Sequence, residues 1–231
     1  MAQPGTDRTT SGQFFQVADN VIAGDLPDVS KALRHPDGLL AIGGNLEPET
    51  LLNAYRRGIF PWYSEGQPIL WWSPDPRSVL EPGQVRISRS LARTLKRNKF
   101  KVSFNQAFAE VVRGCSGPRG GDTNTWITND MADAYNRLHR LGHAMSCECW
   151  HEGELAGGLY GVVIGRVFFG ESMFSRKADA SKVALVRLAE MLDKRRFRLI
   201  DCQVHSRHLE SLGARSMPRD TFIGILEHYC S

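Results

Sequence analysis

The twenty residues Gly58–Arg77, GIFPWYSEGQPILWWSPDPR, constrain this chain more than any other stretch. They hold Trp62, Trp71 and Trp72, three of the five tryptophans, with Phe60 and Tyr63 beside them. Pro61, Pro68, Pro74 and Pro76 are interleaved. Each proline fixes φ at about −65° and removes a backbone donor, so a regular central strand is excluded. Large flat side chains on a stiffened backbone suit a core between layers or a preformed pocket for a flat ligand. Any one of these tryptophans reads as core. The cluster with its prolines predicts a pocket that stacks something flat.

Charge points the same way. From Gln84 to Ala109 there is no acidic residue, while Arg86, Arg89, Arg93, Lys96, Arg97, Lys99 and Lys101 fall inside the stretch. The whole chain carries a net charge of only +4, so this is a local concentration. Arg89, Arg93, Lys96 and Arg97 recur at helical spacing and share one face of a helix over 88–97. Such a face is commonly just solvated. Seven cations with no offsetting acid favour a polyanion. Lys194, Arg195, Arg196 and Arg198 form a weaker second cluster.

With 231 residues, 42% of them hydrophobic, the chain can bury a sizeable core in one large or two small domains. Residues 1–14 have no periodicity and read as disordered. The first twenty residues lack the apolar core of a secretion signal, and no apolar run reaches membrane-spanning length, so a cytoplasmic protein is expected. Five cysteines, with no paired metal-binding spacing, read as reduced thiols and predict no metal site.

Helices are predicted over 48–57, 88–97, 105–115, 128–141, 180–194, 207–212 and 220–229. Asn105 and Thr128 or Asn129 are the expected N-caps. Strands are predicted over 69–72, 78–80, 100–104, 145–150, 155–164, 167–170 and 197–204, with a mobile Gly-rich loop at 116–123. Consecutive strands, then a helix, then a strand describe an α+β, mixed α/β fold. The expected division is a small N-terminal domain over 15–97, followed over 98–231 by a catalytic domain of N-acyltransferase (GNAT-like) architecture.

Enzymes of that architecture that use an acyl-coenzyme A hold its pyrophosphate on a Gly-rich turn before the central helix. Ser175–Ser181 contains no glycine. An acyl donor must then be held another way, and aromatics beside a basic helix suit an RNA with an unpaired end. No cofactor is expected, and no coenzyme A. Glu171 ends a predicted strand as a surface carboxylate or a ligand for a cation. Asp201-Cys202-Gln203 ends another. Side chains alternate across a strand, so Asp201 and Gln203 are expected on the site face and Cys202 on the core face.

Pro36–Ala41, Arg57–Trp62, Pro68–Arg77, Thr125–Thr128, Gly170–Ser175 and Asp201–Gln203 are the motifs by which the chain closely resembles the leucyl/phenylalanyl-tRNA–protein transferases. The resemblance runs from Asp37 to Arg219. It implies transfer of Leu or Phe, with Met as a further donor, from aminoacyl-tRNA to the α-amine of proteins starting with Arg or Lys. That would create an N-terminal degradation signal. It implies that Trp62 and Trp126 contact the terminal adenosine, with Tyr55 and Tyr135 nearby. It also implies that Glu171 binds the acceptor's N-terminal Arg or Lys. Leu159, Phe168, Met173 and Phe174 would form the pocket for the donor side chain. Each of these four is about as well read as ordinary core. The basic helix would follow the tRNA backbone.

The chemistry is mild. The donor is an activated ester, and an α-amine of pKa about 7.7–8.0 is partly neutral near pH 7. Positioning can supply much of the rate. The expected arrangement has the Gln203 side-chain carbonyl accepting a hydrogen bond from the amine, with Asp201 orienting and polarising that amide. Three other readings compete. An acyl-CoA acetyltransferase lacks its Gly-rich turn. A non-catalytic RNA-binding module leaves Glu171, Asp201 and Gln203 idle. A thiol hydrolase would use Cys202 with His205 or His143.

Overall fold

The computed structural model describes residues 26–117 and 127–230, together with the backbone of 15–17. The expected disordered N-terminus and most of the expected Gly-rich loop lie outside these residues, as does Trp126.

The strands are β1 (Phe15–Val17), β2 (Leu39–Gly43), β3 (Phe60–Pro61), β4 (Leu70–Trp72), β5 (Arg77–Leu80), β6 (Lys101–Phe104), β7 (Ala144–His151), β8 (Glu154–Ile164), β9 (Val167–Ser175), β10 (Leu199–Gln203) and β11 (Arg215–Met217). The helices are α1 (Pro48–Arg56), α2 (Arg89–Lys96), α3 (Phe108–Cys115), α4 (Asn129–Arg140), α5 (Ala180–Lys194), α6 (Arg207–Ser211) and α7 (Arg219–Tyr229). They build a mixed α/β fold around two sheets. One is four-stranded in the order β1-β2-β4-β3; the other is seven-stranded in the order β11-β5-β10-β9-β8-β7-β6.

Local signals account for most elements. Pro48 opens α1, where its missing N–H costs nothing, and Gly58 takes φ +73° just beyond its end. A side chain at Gly58 would strike Ile223 of α7. Ser88 and Thr128 cap α2 and α4 by accepting from the N–H of Leu91 and Met131. Glu152 and Gly153, both with positive φ, make the tight turn between β7 and β8. Asn105 does not cap α3. Its side chain accepts from the Ser146 N–H at 3.0 Å, and α3 begins only at Phe108. The N–H of Ala107, before that helix, points instead at the buried Glu148 carboxylate.

The large sheet is covered on both faces. Helix α5 packs Leu185, Leu188, Ala189 and Leu192 against Leu159, Phe168, Ile200 and Cys202. Helices α1, α3, α4 and α7 cover the other face, over Tyr160, Val162, Phe169 and Leu199. The boundary expected near residues 95–99 is not where the sheets part. Strand β5 precedes it and yet pairs with both β10 and β11 inside the large sheet.

One feature of the sheet creates the site. Parallel strands β9 and β10 pair only at Val167–Phe169 with Leu199–Asp201. Irregularities then interrupt both: Glu171 is an extra residue in β9 opposite β8, and the register of β10 on β5 shifts between Asp201 and Gln203. A bulge bends its strand and re-aims side chains. Here the two strands diverge, and a cleft opens between Gly170–Met173 and Cys202–Val204.

Candidate active site in the cleft between β9 and β10

The cleft widens into a cavity of about 440 Å³. Leu159, Phe168, Met173, Leu185, Ile200 and Leu209 make its apolar wall, and Glu171, Gln203, Ser206 and His208 add polar groups. Trp62 stands at the cavity with 41% of its surface exposed. Its ring lies 5.8 Å from that of Trp72, whose indole N–H donates to the Trp62 carbonyl at 2.7 Å. Phe60 is buried at the cavity's edge and Trp72 is half-buried, while Trp71 and Tyr63 are core. Trp71 is fully buried with its indole N–H on the Gly43 carbonyl, and Tyr63 is buried beside Thr128. The aromatic cluster is therefore mostly a scaffold, with β4 paired to β2 and β3 on both edges, that presents Trp62 and the edge of Phe60 to the cavity.

Glu171 reaches the cavity from its bulge. Its Oε2 accepts from the Tyr135 hydroxyl at 2.6 Å, and that hydroxyl lies 2.8 Å from the Tyr55 hydroxyl. Burial raises the Glu171 carboxyl to about 7; Asp201 adds to the rise, while the two tyrosines and Arg77 oppose it. Burial, reinforced by the Glu171 charge, also pushes both phenols well above their usual range. Tyr55 and Tyr135 are wholly buried behind Glu171, so they support that carboxylate and do not form cavity wall.

Gln203 ends β10 in the left-handed region, at φ +55°. Strict alternation fails there. Ile200 and Cys202 line the cavity, while Asp201 faces the opposite side of the sheet. The bulge turns Gln203 back into the cavity beside Cys202. Asp201 is buried and does not polarise the Gln203 amide. Its Oδ1 accepts from the Gln203 backbone N–H at 3.0 Å, and both carboxylate oxygens accept from Arg77. Cys202 thus borders the cavity rather than pointing away from it. Burial and the neighbouring Asp201 push its thiol far up, which makes it a poor nucleophile. His205 is exposed, 3.8 Å from Glu210, and is not among the residues lining the cavity.

Phe174 is the one member of the expected side-chain pocket that the cavity omits. It packs against Gly114 of α3, with the Arg176 guanidinium 5.3 Å from its ring centroid. Leu185, Ile200 and His208 join the cavity unannounced by the sequence. Leu185 was legible only as an inward position of α5. Burial and Lys182 hold the His208 imidazole below its usual range.

Away from the cleft, Arg89, Arg93, Lys96 and Arg97 are exposed on α2, and Arg86, Lys99 and Lys101 are exposed around it. Among the described residues none of the seven forms an ion pair. Before α5, Asp179 occupies the N-cap position in the left-handed region, its carboxylate held by Thr94 and Lys182. The Ser181 N–H is taken by Ser175. All five cysteines are reduced and buried, and no cluster of His, Cys, Asp or Glu among the described residues could hold a metal. No helix among them is long and apolar enough to cross a membrane.

Residues 79–227 match the family model "Leucyl/phenylalanyl-tRNA protein transferase", and residues 44–75 match the model of that family's N-terminal domain. A leucyl/phenylalanyl-tRNA–protein transferase of Stutzerimonas stutzeri is 59% identical, over 85% of this chain and 87% of its own. Those of Aromatoleum aromaticum and Syntrophobacter fumaroxidans are 58% and 60% identical, over 89% and 84% of this chain and 86% and 83% of their own. Among solved structures, a GCN5-related N-acetyltransferase from Kribbella flavida is a distant likeness. It has 8% identity and a TM-score of 0.39, over 74% of this chain and 61% of its own. The chain belongs to the leucyl/phenylalanyl-tRNA–protein transferase family of enzymes.

Proposed function

We infer that the chain moves Leu or Phe from aminoacyl-tRNA to the N-terminal α-amine of proteins that begin with Arg or Lys, in the cytoplasm. The observation that carries this reading is the cavity itself, where an exposed Trp62, an apolar wall, Glu171 and Gln203 meet. The donor side chain fits against Leu159, Phe168, Met173, Leu185 and Ile200. Met173 repacks readily, which suits a wall that must accept both a branched and a flat group. The terminal adenosine stacks on Trp62, with Trp126 as a second candidate outside the described residues. Phosphates lie along Arg89, Arg93, Lys96 and Arg97, which form no ion pair among the described residues. Glu171 offers a carboxylate to the acceptor's cationic N-terminal residue.

Asp179 bears against an acyl-coenzyme A donor. It places a negative charge where a pyrophosphate would need free N–H groups and the positive end of a helix. The test is incubation of the purified chain with radiolabelled Leu-tRNA and an Arg-starting model protein. Label on the protein's N-terminus is expected. Absence of label, or acetylation from acetyl-coenzyme A under the same conditions, overturns the reading.

A further inference from the structure

Among the described residues, the buried atoms Glu171 Oε1 and Gln203 Nε2 at the cavity have no hydrogen-bond partner. Leaving such an atom unpaired costs free energy, so a ligand that supplies the missing partner gains accordingly. The two atoms differ in kind. An ionised carboxylate oxygen only accepts, and an amide nitrogen only donates. They come from adjacent strands where those strands part, and each residue is held from behind. Glu171 Oε2 is occupied by Tyr135, and the Gln203 backbone N–H by Asp201.

Attack of an amine on an ester needs one acceptor and one donor. As the C–N bond forms, the carbonyl oxygen gains negative charge and the nitrogen carries a proton that it must lose. We propose that Glu171 and Gln203 act as a pair on the reacting ester, Gln203 Nε2 donating to the developing oxyanion and Glu171 Oε1 taking the proton from the attacking nitrogen. This rests on the reading of the chain as an aminoacyl-tRNA-dependent transferase. It reverses the role expected for Gln203, whose amide then donates rather than accepts.

The step balances. The α-amine nitrogen attacks the ester carbon, and the proton on that nitrogen passes to Glu171. The adduct collapses, the bond from carbon to the ribose oxygen breaks, and that oxygen takes the proton from Glu171. One amide and one ribose hydroxyl result, and Glu171 is again ionised. The groups bearing on Glu171 are the phenols of Tyr55 and Tyr135, the Arg77 cation and the Asp201 carboxylate, with Tyr160 and His208 also lining the cavity. Burial holds the carboxyl at about 7, a value suited to a base working near neutral pH.

Single-turnover transfer from Leu-tRNA, measured against pH, tests the pair. One acceptor is an Arg-starting peptide. The other carries a weakly basic hydrazide as the attacking nitrogen, which stays neutral over the range and so leaves only the enzyme's own ionisation visible. With the hydrazide, the wild-type rate should rise with pH through a midpoint at about 7 and then level. Glu171→Gln should lose that inflexion and about 10²–10⁴-fold in rate, with Leu-tRNA affinity unchanged. Gln203→Ala should lose about 10²–10³-fold and keep the inflexion. A flat wild-type profile overturns the proposal. So does a Glu171→Gln enzyme that keeps its plateau rate and shows only a raised KM for the Arg peptide, which would mean that Glu171 reads the acceptor's side chain alone. Absence of wild-type transfer to either acceptor overturns the parent reading, and this proposal with it.

Discussion

Arg77 and Asp201, 124 residues apart in sequence, form a two-point ion pair in the interior, with Nε–Oδ1 at 2.8 Å and Nη2–Oδ2 at 2.7 Å. Arg77 also donates to the Gly58 carbonyl at 3.0 Å, and its guanidinium lies 4.8 Å and 4.7 Å from the ring centroids of Phe60 and Phe222. The pair joins the aromatic segment that presents Trp62 to the strand that presents Gln203. It fixes two walls of the cleft relative to each other.

Removing one partner leaves a buried charge alone. Arg77→Met should therefore cost about 3–5 kcal/mol of stability. Replacing both, as Arg77→Met with Asp201→Leu, should recover much of that loss, because two apolar side chains need no solvation. Transfer should not recover, since the Gln203 N–H has then lost its acceptor. Denaturant melts and single-turnover rates on the same preparations check both halves. A double variant with full activity would make the pair purely structural.

The face of α2 should govern salt dependence. Replacing Arg89, Arg93 and Arg97 with Ala should flatten a plot of log tRNA affinity against log salt by roughly two to three units, as three lost phosphate contacts imply. An unchanged slope would leave these cations as a solvated face.

Much of this was legible in local patterns. Periodicity places α5 at Ala180–Lys194, and the polar break at Glu152-Gly153 places the β7–β8 turn. The basic run and the lone carboxylate at Glu171 were visible as chemistry. The Arg77–Asp201 contact was not, because no local pattern encodes pairing between β5 and β10. The bulges at Glu171 and Gln203 were also hidden. Alternation assumes an unbroken strand; Ile200 and Cys202 share the cavity face with Asp201 on the other, and the break after Asp201 turns Gln203 to the cavity face as well. Phe174, which the resemblance put in the pocket, follows Met173 on β9 and packs against α3 instead.

Donor choice should follow the cavity wall. Leu185→Phe adds bulk to that wall and should lower transfer of Phe relative to Leu about tenfold or more. Phe174→Leu, outside the cavity, should leave the ratio unchanged. Competition between Leu-tRNA and Phe-tRNA in one reaction reads both ratios directly.

Trp62 should act on donor binding rather than on chemistry. Trp62→Ala should weaken Leu-tRNA binding by about 1–3 kcal/mol, the usual contribution of one stacked base. Chemistry measured at saturating Leu-tRNA should change far less. A large fall in the saturated rate with unchanged affinity would move Trp62 from the adenosine to the reacting groups.

The central claim is that the cleft between β9 and β10 holds the aminoacyl end of the tRNA. The most direct measurement is a crystal structure with phenylalanyl-adenosine, its ester replaced by a stable amide. The phenyl ring should lie against Leu159, Phe168, Met173 and Leu185, and the adenine against Trp62. The amide carbonyl should lie within hydrogen-bond reach of Gln203 Nε2. A ligand bound elsewhere, or one whose carbonyl points away from both Gln203 and Glu171, would contradict the account.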